Sequence, residues 1–105
     1  MNTYNHKRGD SLTLLVNLPE QFVDGHFLDW TLASQVRAPS GTLIANLNAE
    51  WVDALTTRTI KLEKLDTTTW PIGKLEMDIQ MTSLTGFVTS TSTVTINVQK
   101  DITRA

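Results

Sequence analysis

The segment from Gly73 to Thr82 constrains this chain more than any other. Leu75, Met77, Ile79 and Met81 take every second position, and Lys74, Glu76, Asp78, Gln80 and Thr82 fill the places between. A period of two separates a wet face from a dry one in a β-strand, whereas a helix turning about 100° per residue would mix them. One dry face needs another to cover it, so a second layer must exist. The same alternation runs from Ser11 to Leu18, with Leu12, Leu14, Val16 and Leu18 in phase. It returns from Asp29 to Arg37, with Trp30, Leu32, Ser34 and Val36 inward, and from Val88 to Val98, with Val88, Val94, Ile96 and Val98 opposite a row of threonines.

Shorter pieces fill in the rest. Thr42 to Leu47 reads as a strand with Leu43, Ala45 and Leu47 in phase and Ile44 outward; Glu50 to Asp53 reads as a short strand and Ala54 to Thr57 as a turn. Ile60 and Leu62 alternate with Lys61 and Glu63. Asp66 to Pro71 suits a single helical turn, capped by the Asp66 carboxylate and stopped by the proline. Asp24-Gly25, Pro39-Ser40-Gly41 and Ser83 to Gly86 supply turns. No amphipathic stretch of helical period occurs. The pattern predicts an all-β sandwich of about seven antiparallel strands. At 105 residues the chain is expected to form one domain over 1–105, with short free ends at 1–7 and 100–105. Size scaling leaves roughly 5,900 Å² exposed after folding.

Composition excludes several classes. Nine basic against eleven acidic residues leave a formal charge of −2, which gives no electrostatic footprint for nucleic acid. Cysteine is absent, so thiolate chemistry and sulfur-ligated metals are too. No run approaches the apolar length of a membrane span, and MNTYNHKRGD is not followed by the apolar core of a signal peptide.

Candidate chemistry is sparse. Arg8-Gly9-Asp10 matches an adhesion tripeptide but reads as a turn into a strand, with Gly9 at its centre. His6 and His26 read as loop histidines without partners for a metal or a proton relay. Glu76 and Asp78 share a strand face at roughly 6.5–7 Å, near the spacing of glycosidase carboxylates, yet Lys74 lies beside them and no nucleophile accompanies them. No serine or threonine sits in a nucleophile elbow. The expectation is a non-enzyme with no catalytic, cofactor or metal residues and no small-molecule ligand. Trp30 and Trp70 belong to the core, and Arg37 is a solvated charge. Trp51, flanked by Glu50 and Asp53, together with outward Ile44 and Leu15, is the choice for contact with a partner.

The stretches KRGDSLTLLVNL, LDWTLASQVRAPSGTLIANL, WPIGKLEMDIQM and VTSTSTVTINVQKDIT follow one another in an order that resembles the immunoglobulin-like domain of tailed-phage virion proteins, as at the amino end of baseplate upper proteins. The likeness spans nearly the whole chain. It implies an immunoglobulin-like sandwich acting as a virion structural or assembly protein of the tail, baseplate, neck or fibre. Such a protein is made in the host cytoplasm and built into the particle. Its partners would be other phage virion proteins and further copies of itself, with no nucleic acid, no membrane and no cofactor. Baseplate proteins continue into more domains where this sequence ends seven residues after Val98, so no binding residue is carried over. A carbohydrate-binding or cell-surface adhesion module using Trp51 with nearby Asn and Asp is the alternative.

Overall fold

Eight strands are present among residues 2–91 and 93–100, the part of the chain that the computed structural model describes (the side chain of Asn2 excepted). They are β1 (Asn2–Lys7), β2 (Leu12–Asn17), β3 (Thr31–Arg37), β4 (Leu43–Trp51), β5 (Thr59–Lys64), β6 (Gly73–Thr82), β7 (Val88–Ser90) and β8 (Val94–Gln99). One layer runs β1-β8-β6-β3-β4 with β7 also on β6, and the other runs β4-β5-β2. Strand β4 belongs to both: Leu43 to Leu47 pair with β3, and Asn48 to Trp51 pair with β5. Setting β8, β6 and β3 against β2, β5 and β4 is the immunoglobulin arrangement. The fold is therefore the expected all-β, immunoglobulin-like sandwich, with its layers joined through one shared strand.

The core follows the period of two. Leu75, Met77, Ile79 and Met81 are all buried, and they gather with Val36, Ile96 and Val98 of their own layer and Leu12, Ile60 and Leu62 of the other. Inward Ser34 is also buried, and its hydroxyl donates to the Asp78 carbonyl at 2.8 Å. That bond lets a polar side chain sit in the core without an unsatisfied group.

Several expectations need correction. Residues 2–7 are no free end but an edge strand, paired in parallel with β8 from Asn2↔Val94 to Lys7↔Gln99, so one pair departs from the antiparallel pattern. Of the other end, Lys100 lies outside any strand, and 101–105 fall outside the described residues. Val88 to Val98 is two strands. Pairing with β6 shifts by one residue between Gln80↔Ser90 and Met77↔Val94, and at the shift the Ile79 amide donates to Thr91 Oγ1 at 3.0 Å. A one-residue shift reverses the faces, which leaves Val88 exposed while Val94, Ile96 and Val98 turn inward.

Ile44 does not point outward. The β3–β4 register jumps from Val36↔Ala45 to Arg37↔Leu43, making Ile44 the extra residue of a bulge that turns it half-buried against the core. Glu50 is part of the continuous β4, and no separate strand reaches Asp53. Strand β3 starts at Thr31, after Asp29 in a left-handed conformation (φ 65°).

Register places two ends. Connections 8–11, 38–42 and 65–72 lie at one, here the base; 18–30, 52–58 and 83–87 lie at the other, the tip. At the base, His6 is no loop residue but a buried one. Its Nε2 lies 3.0 Å from Thr67 Oγ1, and its ring centroid is 5.7 Å from that of buried Trp70. Thr67 Oγ1 also accepts the Gly9 amide at 2.9 Å and donates to the Asp10 carbonyl at 2.7 Å. Gly9 (φ 98°) thus serves the turn at Arg8-Gly9-Asp10, and the adhesion tripeptide is tied into the base. Residues 67–70 form a β-turn closed by Trp70 N–H to the Thr67 carbonyl, in place of the helical turn.

The Thr68 hydroxyl and then its amide donate to Asp66 Oδ1, at 2.7 and 3.0 Å, and hold that carboxyl below its ordinary 3.8. A lowered folded-state value means that this carboxylate stabilises the fold above about pH 3.8 and that its contribution disappears as the pH falls through the lower value. In urea unfolding from about pH 5 to about pH 2, the deficit of Asp66→Asn relative to the parent is expected to shrink as acid is added. Ile79→Ala, which empties the middle of the core, is expected to cost about 2–5 kcal/mol in the same measurement at neutral pH.

Candidate functional site

Three connections meet at the tip, and the longest, 18–30, is a chain of tight turns. Amide-to-carbonyl bonds run from Phe22 to Pro19, His26 to Val23, Leu28 to Gly25 and Trp30 to Phe27, each spanning three residues at 3.0–3.2 Å. Gly25 supports this with φ 81°, and a side chain there would meet the Leu55 carbonyl at 3.2 Å. Successive turns send Phe22, Phe27 and Trp30 toward the sandwich. Phe27 is buried at the hub, with ring centroids of His26, Trp30, Phe22 and Trp51 at 4.6, 4.9, 5.1 and 6.1 Å. These offset and edge-on contacts suit aromatic quadrupoles.

Connection 52–58 fastens the first one. Buried Thr57 (φ 49°) accepts the Phe27 amide on its hydroxyl at 3.2 Å, and the Thr56 carbonyl accepts the Gly25 amide at 2.7 Å. The Arg58 guanidinium donates to the carbonyls of Phe22, Leu18 (3.2 Å) and Pro19 (3.3 Å), and lies 3.6 Å from Asp24. Connection 83–87 joins through Phe87, whose ring meets Trp30 edge-on at 6.1 Å; Ser83 Oγ accepts the Phe87 amide at 2.9 Å.

Beyond this fastened layer stand apolar side chains with no cover. Leu84, Leu55 and Val23 are 81%, 77% and 71% exposed, and Phe87, Val52 and Leu28 are exposed as well. Most of the exposed large hydrophobic residues described therefore lie in the three tip connections. Scattered single exposures are ordinary on protein surfaces, whereas here six exposed apolar side chains fall in the connections at one end of the sandwich.

The residues singled out for partner contact are not brought together. Leu15 is 65% exposed on the outer face of β2, and Ile44 packs into the bulge near the base. Trp51 reaches the tip but is half-buried beneath it, stacked on Phe27 at an 18° interplanar angle, with its indole N–H directed at the Trp30 carbonyl at 3.4 Å. The strand period marks outward residues on strands and carries no information about the tip connections. The available signal was the presence of large apolar residues within turn-forming segments, as in FVDGHFLDW and SLTGF. A connection without a strand period has no single face that can bury them all.

Glu76 and Asp78 lie on the exposed face of β6, beside a cavity of about 200 Å³ shared with Gln35, Arg37 and Thr93. Arg37 donates to the Gly41 carbonyl and Gln35 Oε1, at 2.8 and 2.7 Å. His6 and His26 stand at opposite ends, and no group of three His, Asp or Glu side chains converges among the described residues. A second concave region, about 370 Å³, opens between β2 and β7 and is lined by core residues including Phe22, Met77 and Met81.

Arg58→Met would remove the donors that tie down residues 18–22. It is expected to cost about 1–3 kcal/mol and to speed amide hydrogen exchange at Gly25 and His26 by about tenfold or more while β6 amides stay protected. Equal acceleration throughout would mean that Arg58 supports the whole fold and not the tip.

No protein-family model matches the chain, and no curated protein does. Among solved structures, the fold is similar to the crystal structure of CopC from Methylosinus trichosporium OB3b, with 13% sequence identity, a TM-score of 0.49, and coverage of 95% of this chain and 90% of that one.

Proposed function

We propose that this chain is a non-enzymatic structural protein of a tailed-phage particle and works by docking its tip onto another virion protein. The observation that carries the docking reading is the exposed apolar group on a tip whose backbone is already hydrogen-bonded in place. Covering such surface contributes about 25 cal/mol per Å² removed from water. A fixed backbone lowers the ordering cost that would otherwise oppose association. The virion assignment is supported by the ordered sequence resemblance and by the immunoglobulin-like strand order, which that resemblance implies.

The adhesion alternative draws no support from Trp51, because its indole is stacked and its N–H engaged within the tip. The test is the protein content of purified particles of the virus that encodes the chain. Mass spectrometry and immunogold labelling are expected to find it at one defined substructure. Leu55→Asp with Leu84→Asp should reduce incorporation about tenfold or more while changing stability by no more than about 0.5 kcal/mol per site, since both are surface positions. Absence of the parent chain from intact particles would refute the virion role, and undiminished incorporation of the variant would refute docking through the tip.

A further inference from the structure

The two ends of the molecule carry opposite charge around apolar side chains. At the tip, exposed Glu20, Asp24, Asp29 and Asp53 stand among Val23, Leu55 and Leu84. The cation there, Arg58, is half-buried, bonded to the Phe22, Leu18 and Pro19 carbonyls, and lies 3.6 Å from Asp24, which leaves Glu20, Asp29 and Asp53 as the tip carboxylates with no ion-pair partner among the described residues. At the base, Lys7, Arg8, Lys64, Lys74 and Lys100 share one end of the sandwich with two exposed apolar residues, Leu65 at 72% and Ile72 at 51%. Asp10 and Asp66 interrupt that set, and Arg37 and Glu76 sit level with each other in the β3–β6 register. Arg8 Nε is buried with no acceptor among the described residues.

Resting on the docking reading above, we propose that the tip of one copy of this chain docks on the base of a second copy, head to tail. Acidic rim then meets basic rim, and Leu55 and Leu84 meet Leu65 and Ile72. A two-fold contact of tip with tip would instead set the three unpaired carboxylates of each copy against the same three of its mate, an arrangement that like charges oppose. A head-to-tail contact uses two different patches on each copy, so it repeats, and it ends in a ring or an open row according to the rotation between copies.

The consequence is testable with this chain alone. One variant, Leu55→Gln with Leu84→Gln, blunts the tip; another, Leu65→Gln with Ile72→Gln, blunts the base. All four positions are exposed, so both variants are expected to melt like the parent. By sedimentation equilibrium the parent should associate beyond dimer with rising concentration and less so at high salt, because rim charges are screened. Each variant alone should associate about tenfold or more weakly. Mixed in equal amounts, they should form a species of twice the 11.7 kDa chain mass and nothing larger, because only the intact tip of one and the intact base of the other can meet. A parent that stays monomeric would overturn the inference, as would a mixture that remains monomeric while the parent associates. If the parent is monomeric yet the tip variant still fails to enter particles, the docking function stands and the second copy is the wrong occupant.

Discussion

Met77 and Ile79 lie midway along β6, between β8 and β3, and face Leu12, Ile60 and Leu62 across the sandwich. Stacked sheets stand about 10 Å apart when their inner side chains interdigitate, and this buried row fills the space between the layers. The spacing leaves gaps at both ends that aliphatic strand residues cannot reach. Rings close them: Trp70 against His6 at the base, and Phe27 among Phe22, Trp30 and Trp51 at the tip. Each plug needs a polar clamp from a connection, Thr67 at one end and Thr57 with Arg58 at the other.

The tip owes its definition to backbone bonding more than to its own side chains. The connection 18–30 runs through consecutive turns, and three of its carbonyls, those of Leu18, Pro19 and Phe22, are held by one guanidinium. Apolar Val23 and Leu28 stay outward on this bonded backbone. The base is built differently, with an edge strand, a β-turn and a hydroxyl that bonds to His6 of β1 and to Gly9 and Asp10 of the connection after it. One end offers carboxylates around leucine and valine, and the other offers ammonium groups around leucine and isoleucine.

Much of this was legible in the sequence because alternation encodes burial directly. The inward rows of β2, β3 and β6 stand where the period puts them, as do the turns at Gly9, Gly25 and Gly41. Three kinds of feature escaped. Bulges at Ile44 and beside Thr91 shift phase by one residue, which no period can announce in advance. Strand β1 carries little apolar alternation, since it gains its place from hydrogen bonds to β8 and from one buried histidine. The tip was missed because its side chains follow turn geometry, and their exposure depends on bonds between segments some 30 residues apart, such as Phe27 to Thr57.

The parallel pairing of β1 with β8 also decides how the domain bears tension. Asn2 is level with Val94 and Lys7 with Gln99, so a pull on the start of β1 against the end of β8 runs along both strands in opposite senses. The ladder bonds between them then stretch together in shear and share the force, whereas a hairpin pulled from its open end would release its bonds singly. A sandwich tied this way resists extension along its strands better than peeling at its edge.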